Sequence, residues 1–339
     1  MVMIRATAPV RVCDAGGWTD TWFAHEGLVC SVAMTPGAHV FLELQPEPGP
    51  VMLTVASTGE GYEVPRAAEP PGRHPLLEAA VQRHPIPENR AASVNVGAAL
   101  PPGCGVGTSA AVVVALVHAL STARGEVLLA DDLAREAHEI EIGLGLEAGV
   151  QDQYASTRGG ANLIHIGPYP DAFVEPLHLR DDLLDALDRQ LITVYFGQPH
   201  RSSQVHERVI ASLAAGDAAS TEARLQPLRQ AAANAATALR AGDIAAYGGA
   251  LAANTRAQAA LHPHLVNEDA RRLIDLAATH RALGWKVNGA GGEGGSLTVV
   301  APSDNDARAA LIAAIDQVER WQRLALACAR EGARVQAAS

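Results

Sequence analysis

The chain has 339 residues, of which 48% are hydrophobic and 19% charged, so it belongs among folded globular proteins with a sizeable core rather than disordered ones. Its net charge is -11 and Lys and Arg are nowhere clustered, which excludes a nucleic-acid partner held through phosphate contacts. Any anionic ligand must be met by a few local cations and by backbone N–H groups.

From Ile4 to about Ser57, short runs of β type ("VRVC", "LVCSVAM", "HVFLELQ", "VMLTVAS") are separated by Gly and Pro, so the chain opens rich in strands. "HPLLEAAVQRH" has a helical pattern, "ASVNVGAAL" reads as a strand, and Thr108 to about Thr122 reads as a long apolar helix followed by a second in "LADDLAREAHEIEIGLG". "GGANLIHIG" and "ITVYFG" are strand-like. From His200 to about Arg281 the pattern is Ala-rich and helical, with a break at "RAGDIAAYG". The remainder reads as the glycine loop "NGAGGEGG", the strand "SLTVV", a helix, and a candidate last strand "LALACA". Strands cluster early and helices late, which predicts an α+β fold of two domains, residues 1–185 and 186–339.

Four widely spaced cysteines, Cys13, Cys30, Cys104 and Cys328, form no C-x-x-C pair, so neither a zinc site nor a disulfide framework is indicated. No apolar run approaches the ~20 residues of a spanning helix, and the N-terminus meets charge and Pro too soon for a signal peptide. A soluble protein of the reducing cytoplasm, without a membrane partner, is expected.

"PPGCGVGTSAA" places Gly103, Gly105 and Gly107 within five residues between a strand and a helix. A Walker A loop needs a Lys to reach the outer phosphates, and this loop has none. What remains is a run of backbone N–H groups freed by Gly to approach a ligand, then the hydroxyls of Thr108 and Ser109 at a helix start whose dipole favours an anion. The same hydroxyls would serve equally as caps of a plain turn. Gly289, Gly291 and Gly294 have the G-x-G-x-x-G spacing, but they precede a strand late in the chain, against the context of a dinucleotide fingerprint, and a simple turn stays open. In "HEIEIGLGLEAGVQDQYASTRGG", Glu139 and Glu141 fall near a helix end, where charges usually face solvent. Asp152 has no charged neighbour within four residues on its N-terminal side, and a partly buried carboxylate there needs a task.

Together these stretches resemble the GHMP kinases, the family named for galactokinase, homoserine kinase, mevalonate kinase and phosphomevalonate kinase. "APVRVCDAGGWTD", "PPGCGVGTSAA" and "KVNGAGGEGG" are similar to that family's three motifs, in order and across nearly the whole chain. Within it, "GGWTD", "QDQYASTRGG" and "YFGQPHRSSQ" look most like the bacterial D-glycero-D-manno-heptose 7-phosphate kinases. Three positions depart from that pattern: Trp18 replaces a Gly, Val150 stands where a Lys is common, and Glu293 interrupts the last glycine run.

The resemblance implies a strand-rich N-terminal domain, a ferredoxin-like, helix-rich C-terminal domain, and an active site between them. ATP phosphates would lie on Gly103, Gly105, Gly107 and Thr108, with Gly291 and Gly292 of the third motif nearby, and Mg2+ on Ser109 and an acid. In the mevalonate kinase pattern that acid stands eleven residues before the catalytic Asp, which selects Glu141 over Glu139. Arg11 and Asp152 become the expected catalytic pair, Arg11 holding charge on the transferred phosphoryl group and Asp152 accepting or orienting the hydroxyl proton. Asp20, with Gly17 and Thr19, would bind the sugar hydroxyls or simply serve as a turn residue. Arg201 with Ser202 and Ser203 would hold a substrate phosphate or simply begin a helix. The expected acceptor is the anomeric hydroxyl of a heptose 7-phosphate. An unphosphorylated sugar such as galactose or fucose, a non-catalytic nucleotide- and sugar-binding sensor, and an ATP-using decarboxylase are the alternatives.

Overall fold

The computed structural model of the chain describes residues 1–66, 72–146, 148–199 and 203–338. The first part consists of β1 (Val2–Ala15), β2 (Gly27–Gln45), β3 (Val51–Val55), β4 (Glu60–Glu63), α1 (Pro75–Arg83) and β5 (Ala91–Ala98). Next come α2 (Thr108–Ala123), α3 (Ala130–Gly143), α4 (Gln151–Arg158), β6 (Ala161–Ile166), β7 (Ala172–Pro176), α5 (Asp181–Gln190) and β8 (Leu191–Tyr195). The helical stretch is α6 (Ser203–Ala214), α7 (Ala218–Ala241), α8 (Ile244–Leu261), a 3-10 turn (Pro263–Leu265) and α9 (Glu268–Thr279). It is followed by β9 (Gly284–Val287), β10 (Ser296–Val300), α10 (Asn305–Asp316) and the short strands β11 (Gln322–Arg323), β12 (Ala327–Cys328) and β13 (Arg334–Ala338).

One sheet runs β13-β1-β2-β5-β3-β4, with β6 and β12 also paired to β2 and β7 to β6. Its pairings are antiparallel except the parallel β3–β5. Ala8–Ala15 of β1 are buried without a break, so both faces of the strand are covered; α2, α4, α7 and α8 all contact it. The second sheet, β11-β8-β10-β9, is antiparallel and packs with α9 and α10 around its own apolar cluster of Val194, Phe196, Leu273, Leu297 and Leu311. The α+β expectation holds, strand-rich first and helix-rich later. The division expected near residues 185 and 186 falls within α5, and β12 and β13 return to the first sheet. No helix among the described residues is long and apolar enough to cross a membrane.

The break in the helical stretch has a local cause. Gly242 ends α7 with φ 72°, and the Asp243 side chain accepts from the Ala246 N–H at 2.8 Å to begin α8. Elsewhere the structure differs from the expected elements. "LVCSVAM" and "HVFLELQ" form one strand, because the register with β1 shifts between Ala8 and Val10 and the irregularity absorbs the Pro and Gly between them. "QDQYASTR", to which the sequence pattern assigned no element, is a helix, α4, and "LALACA" contributes only the two residues of β12. β4, β7, α5 and β13 were not expected at all.

Candidate active site

Arg11 projects from β1, where its own N–H donates to Val106 O at 2.9 Å and so fixes the strand to the glycine loop. Its guanidinium donates from Nε to Asp152 Oδ1 at 2.8 Å, from Nη2 to Asp152 Oδ2 at 3.2 Å, and from Nη1 to Gly105 O. This bidentate fork holds the α4 carboxylate against the loop. Burial would lower the Arg11 pKa, but Asp152 and Asp14 outweigh it, so the group stays charged. Arg11 is buried while Asp152 is one quarter exposed, so the carboxylate is the member of the pair that a ligand can reach.

Gly103, Gly105 and Gly107 all have positive φ, between 70° and 77°, which a side chain would strain. A Cβ at Gly107 would also lie 3.1 Å from Asp152 Oδ2, a tight contact that Gly spares the loop and the carboxylate. Gly107 is the N-cap of α2, and no side chain caps the helix. The capping explanation of Thr108 and Ser109 is thereby removed: Thr108 Oγ1 faces Cys104 Sγ at 3.7 Å, and Ser109 is exposed. The N–H groups of Gly105 and Gly107 donate to no backbone carbonyl among the described residues, leaving an anion cradle at a helix N-terminus.

Two cavities meet at this point. The larger, about 630 Å3, has apolar walls at Val55, Leu76, Leu77, Val96 and Val112 and ends at the glycine loop. The smaller, about 260 Å3, is lined by Asp14, Gly17, Asp20, Glu141, Gln151 and the aromatic panel Trp18, Trp22 and Phe23. Arg11, Ser109, Asp152, His206, Gly289 and Ala290 line both. Arg11 and Asp152 therefore stand where the contents of one cavity can reach the contents of the other.

The smaller cavity is strongly acidic. Burial, then the charge of Asp152, pushes Asp20 up to about 6 against the opposing hydrogen bond from Gln151 N–H. The same two causes push Glu141 up to about 8, although Gln153 donates to its Oε2 at 2.6 Å. Glu139 instead pairs with Arg83 on the surface, so the two acids of that helix have separate fates. A buried carboxylate with no cationic partner among the described residues is the kind of donor a divalent cation relieves, and Ser109 opens onto the same cavity. Ser109 and Glu141 thus fit a Mg2+ site.

Several positions take roles that the sequence reading did not assign. Asp14 is fully buried, accepts from Gly289 N–H at 3.1 Å, and lies 3.4 Å from Lys286 Nζ. That pair ties the first motif to the third, and the signal for it was a lone Lys inside the apolar "GWKV". Asn288 accepts from Cys13 N–H at 3.1 Å and donates to Ser296 Oγ and Thr298 Oγ1 at 3.0 Å, a second tie. Gly289 and Ala290 are the third-motif residues that face the cavities. Gly291 and Gly292 turn away to Leu265, and Asn267 Nδ2 donates to Gly292 O at 2.6 Å.

Gly17 lines the smaller cavity, whereas Thr19 is buried and donates from Oγ1 to Gly16 O at 2.7 Å, locking the turn. Trp18 is a cavity wall, its Nε1 donating to Ala290 O at 3.1 Å. Val150 lies in the core with Val29, Tyr154 and Ile164, and Glu293 is exposed and lines neither cavity, so neither substitution alters the cavity walls. Arg201 and Ser202 lie outside the described residues.

Comparison with known proteins agrees with this geometry. Residues 76–160 match the family described as GHMP kinases N terminal domain, a stretch running from α1 through the glycine loop to α4. The D-glycero-alpha-D-manno-heptose 7-phosphate kinase of Campylobacter jejuni is 25% identical over 316 residues, 89% of this chain and 91% of that protein. The bifunctional fucokinase/GDP-fucose pyrophosphorylase of Arabidopsis thaliana is 24% identical over 311 residues, which cover 86% of this chain and 29% of that protein. The crystal structure of a D-glycero-D-manno-heptose 1-phosphate kinase from Bacteriodes thetaiotaomicron has the same fold, with a TM-score of 0.75 at 20% identity and 98% of each chain covered. Residues 76–160 thus match the GHMP kinase N-terminal domain, and the chain as a whole shares the fold of that solved kinase.

Proposed function

We propose that the protein transfers the γ-phosphoryl group of ATP to a hydroxyl of a sugar or sugar phosphate, best read as the anomeric hydroxyl of a heptose 7-phosphate. The observation that carries this reading is the Arg11–Asp152 fork at the junction of an apolar, glycine-ended cavity and an acidic, aromatic-walled one. Purine and ribose suit the apolar walls, and the phosphates suit the free N–H groups at the N-terminus of α2. Mg2+ on Ser109 and Glu141 would neutralise charge on the outer phosphates.

In phosphoryl transfer a protein mainly positions an in-line attack and neutralises charge. Arg11 is charged at every working pH and faces both cavities, so it can hold charge on the moving phosphoryl group. Asp152 is aimed by Arg11 and is partly exposed to the acceptor side, where it accepts the hydroxyl proton as the bond to phosphorus forms. Asp20, ionised above about pH 6, can take two neighbouring hydroxyls. Arg201 and Ser202 would hold the 7-phosphate, and Gly103, Gly105, Gly107 and Thr108 the nucleotide, while Gly291 and Gly292 pack on Leu265 away from both cavities.

One observation favours a second reading. Among the described residues lining the acceptor cavity Arg11 is the one Arg or Lys, which suits an unphosphorylated sugar such as fucose or galactose. A coupled ADP-release assay over sugars and sugar phosphates, including heptose 7-phosphate, separates the two. Release with heptose 7-phosphate, and an Arg201→Ala variant whose KM rises for the sugar phosphate far more than for ATP, is expected. Release with free sugars alone would select the second reading, and ATP binding without release for any acceptor would select a sensor.

A further inference from the structure

Gln151 is a polar wall residue of the acceptor cavity to which this mechanism gives no part. It stands one residue before Asp152 in the first turn of α4 and is only 6% exposed, yet it lines the cavity beside Gly17 and Asp20. Its backbone N–H donates to Asp20 Oδ2 at 3.2 Å, while its carboxamide Oε1 has no partner among the described residues. It does not cap the helix, whose N-cap is Val150. Gln153, two residues on, also has an unpartnered Oε1 among the described residues, but its Nε2 donates to Glu141 Oε2 at 2.6 Å and it lines neither cavity.

The space around this amide and around Asp20 is kept clear by one glycine each. A Cβ at Gly17 would come within 3.3 Å of Gln151 Nε2, and a Cβ at Gly149 within 2.0 Å of Asp20 Oδ2. Asp20 and Gln151 are also chemically complementary. A carboxylate only accepts, so hydroxyls that donate to Asp20 still carry oxygens in need of donors, and a carboxamide both donates and accepts. A buried amide left without a partner is unfavourable, and a ligand that pairs it removes that penalty.

We propose that Gln151 is a specificity-determining residue whose carboxamide hydrogen-bonds an acceptor hydroxyl other than the one phosphorylated, so that Asp20 and Gln151 together read a pair of neighbouring hydroxyls. This rests on the kinase reading above. It makes the site discriminating, because a polyol lacking that hydroxyl leaves the buried amide unpaired.

The test is steady-state kinetics of the wild type and Gln151→Leu on the best acceptor of the panel and on its monodeoxy analogues. Gln151→Leu is expected to raise the acceptor KM about tenfold while kcat and the KM for ATP stay within about twofold. The wild type should reject one monodeoxy analogue about tenfold, and that rejection should vanish in the variant while rejection at other positions persists. An unchanged acceptor KM with unchanged rejection would overturn the assignment, as would equal losses toward ATP and every analogue. If Gln151→Leu does not fold, Gln151→Met takes its place, read by the same ratio of deoxy to parent acceptor. The two readings fail separately: a wild type that turns over no acceptor sinks the kinase, and calorimetric binding of heptose 7-phosphate to wild type and variant still decides the role of Gln151.

Discussion

Replacing Glu141 by Gln tests the cation site without measuring turnover. The folded carboxyl is pushed up to about 8 from an ordinary 4.5, first by burial and then by Asp152. A folded state that binds its proton more tightly than the unfolded chain loses stability as pH rises between those values, by up to ~1.4 kcal/mol per pH unit and ~5 kcal/mol in all. Gln keeps the volume, can still accept from Gln153 and does not ionise. Metal-free Glu141→Gln should therefore match the wild type near pH 4.5 and exceed it by a growing margin up to pH 8. For a chain of this length ~1 kcal/mol is worth ~1.5 °C of Tm, so the gain approaches ~7 °C. Melting in a chelator across that pH range measures it. Adding Mg2+ at pH 8 should then raise the wild-type Tm and leave the variant where it was. Melting curves that run parallel at every pH would refute the argument that this carboxylate is buried without compensation, and an equal Mg2+ response in both proteins would refute the metal assignment.

Asp152→Asn should lower kcat by ~2 to 4 orders of magnitude with ATP affinity, read by calorimetry, nearly unchanged; ordinary turnover would remove Asp152 from the chemistry. Gly149→Ala would place a Cβ 2.0 Å from Asp20 Oδ2, so the acceptor KM should rise more than tenfold while the KM for ATP holds. Since Asp20 must be ionised to accept hydroxyls and titrates at about 6, kcat/KM for the acceptor should fall as pH drops below 6. Asp20→Asn should show a lower kcat/KM without that acid limb, and a persisting limb would assign it to another group.

The Arg11–Asp152 pairing was legible because the motifs that carry it are residue types at fixed spacing. Asp152, Arg11 and the three glycines of the first loop meet as expected. The third motif was legible as a loop but not in its orientation: which of Gly289, Ala290, Gly291 and Gly292 faces a cavity depends on Asn267 of α9 and Leu265, outside the motif itself. Lys286–Asp14 and the Asn288 tie join residues more than 270 positions apart, so no local pattern could pair them. Val150 shows the opposite error. Its departure from the family motif stands out in the sequence, whereas in the structure Val150, the N-cap of α4, has its side chain in the core. α4 itself was missed because "QDQYASTR", polar but for Tyr154 and Ala155, has little apolar periodicity, and its burial comes from packing on α3, β1 and α2.

The acidity of the acceptor cavity now has a physical reason. Asp14, Asp20, Glu141 and Asp152 face it, with Arg11 and the buried Lys286 as counter-charges, and full ionisation would leave a formal charge of -2. Burial makes such a surplus expensive, and protonation of Glu141 below about 8 and of Asp20 below about 6 is one way to remove it. A divalent cation on Ser109 and Glu141 is the other, because it offsets the surplus while leaving Asp20 and Asp152 ionised for the acceptor. Protons and metal then compete for one carboxylate, so Mg2+ affinity should weaken by about tenfold for each pH unit below 8. Calorimetric Mg2+ titrations between pH 6 and pH 9, each with release of close to one proton at the acid end, would bear this out. Affinity that stays flat across that range would mean that the cation binds elsewhere and that Glu141 holds its proton for a different purpose.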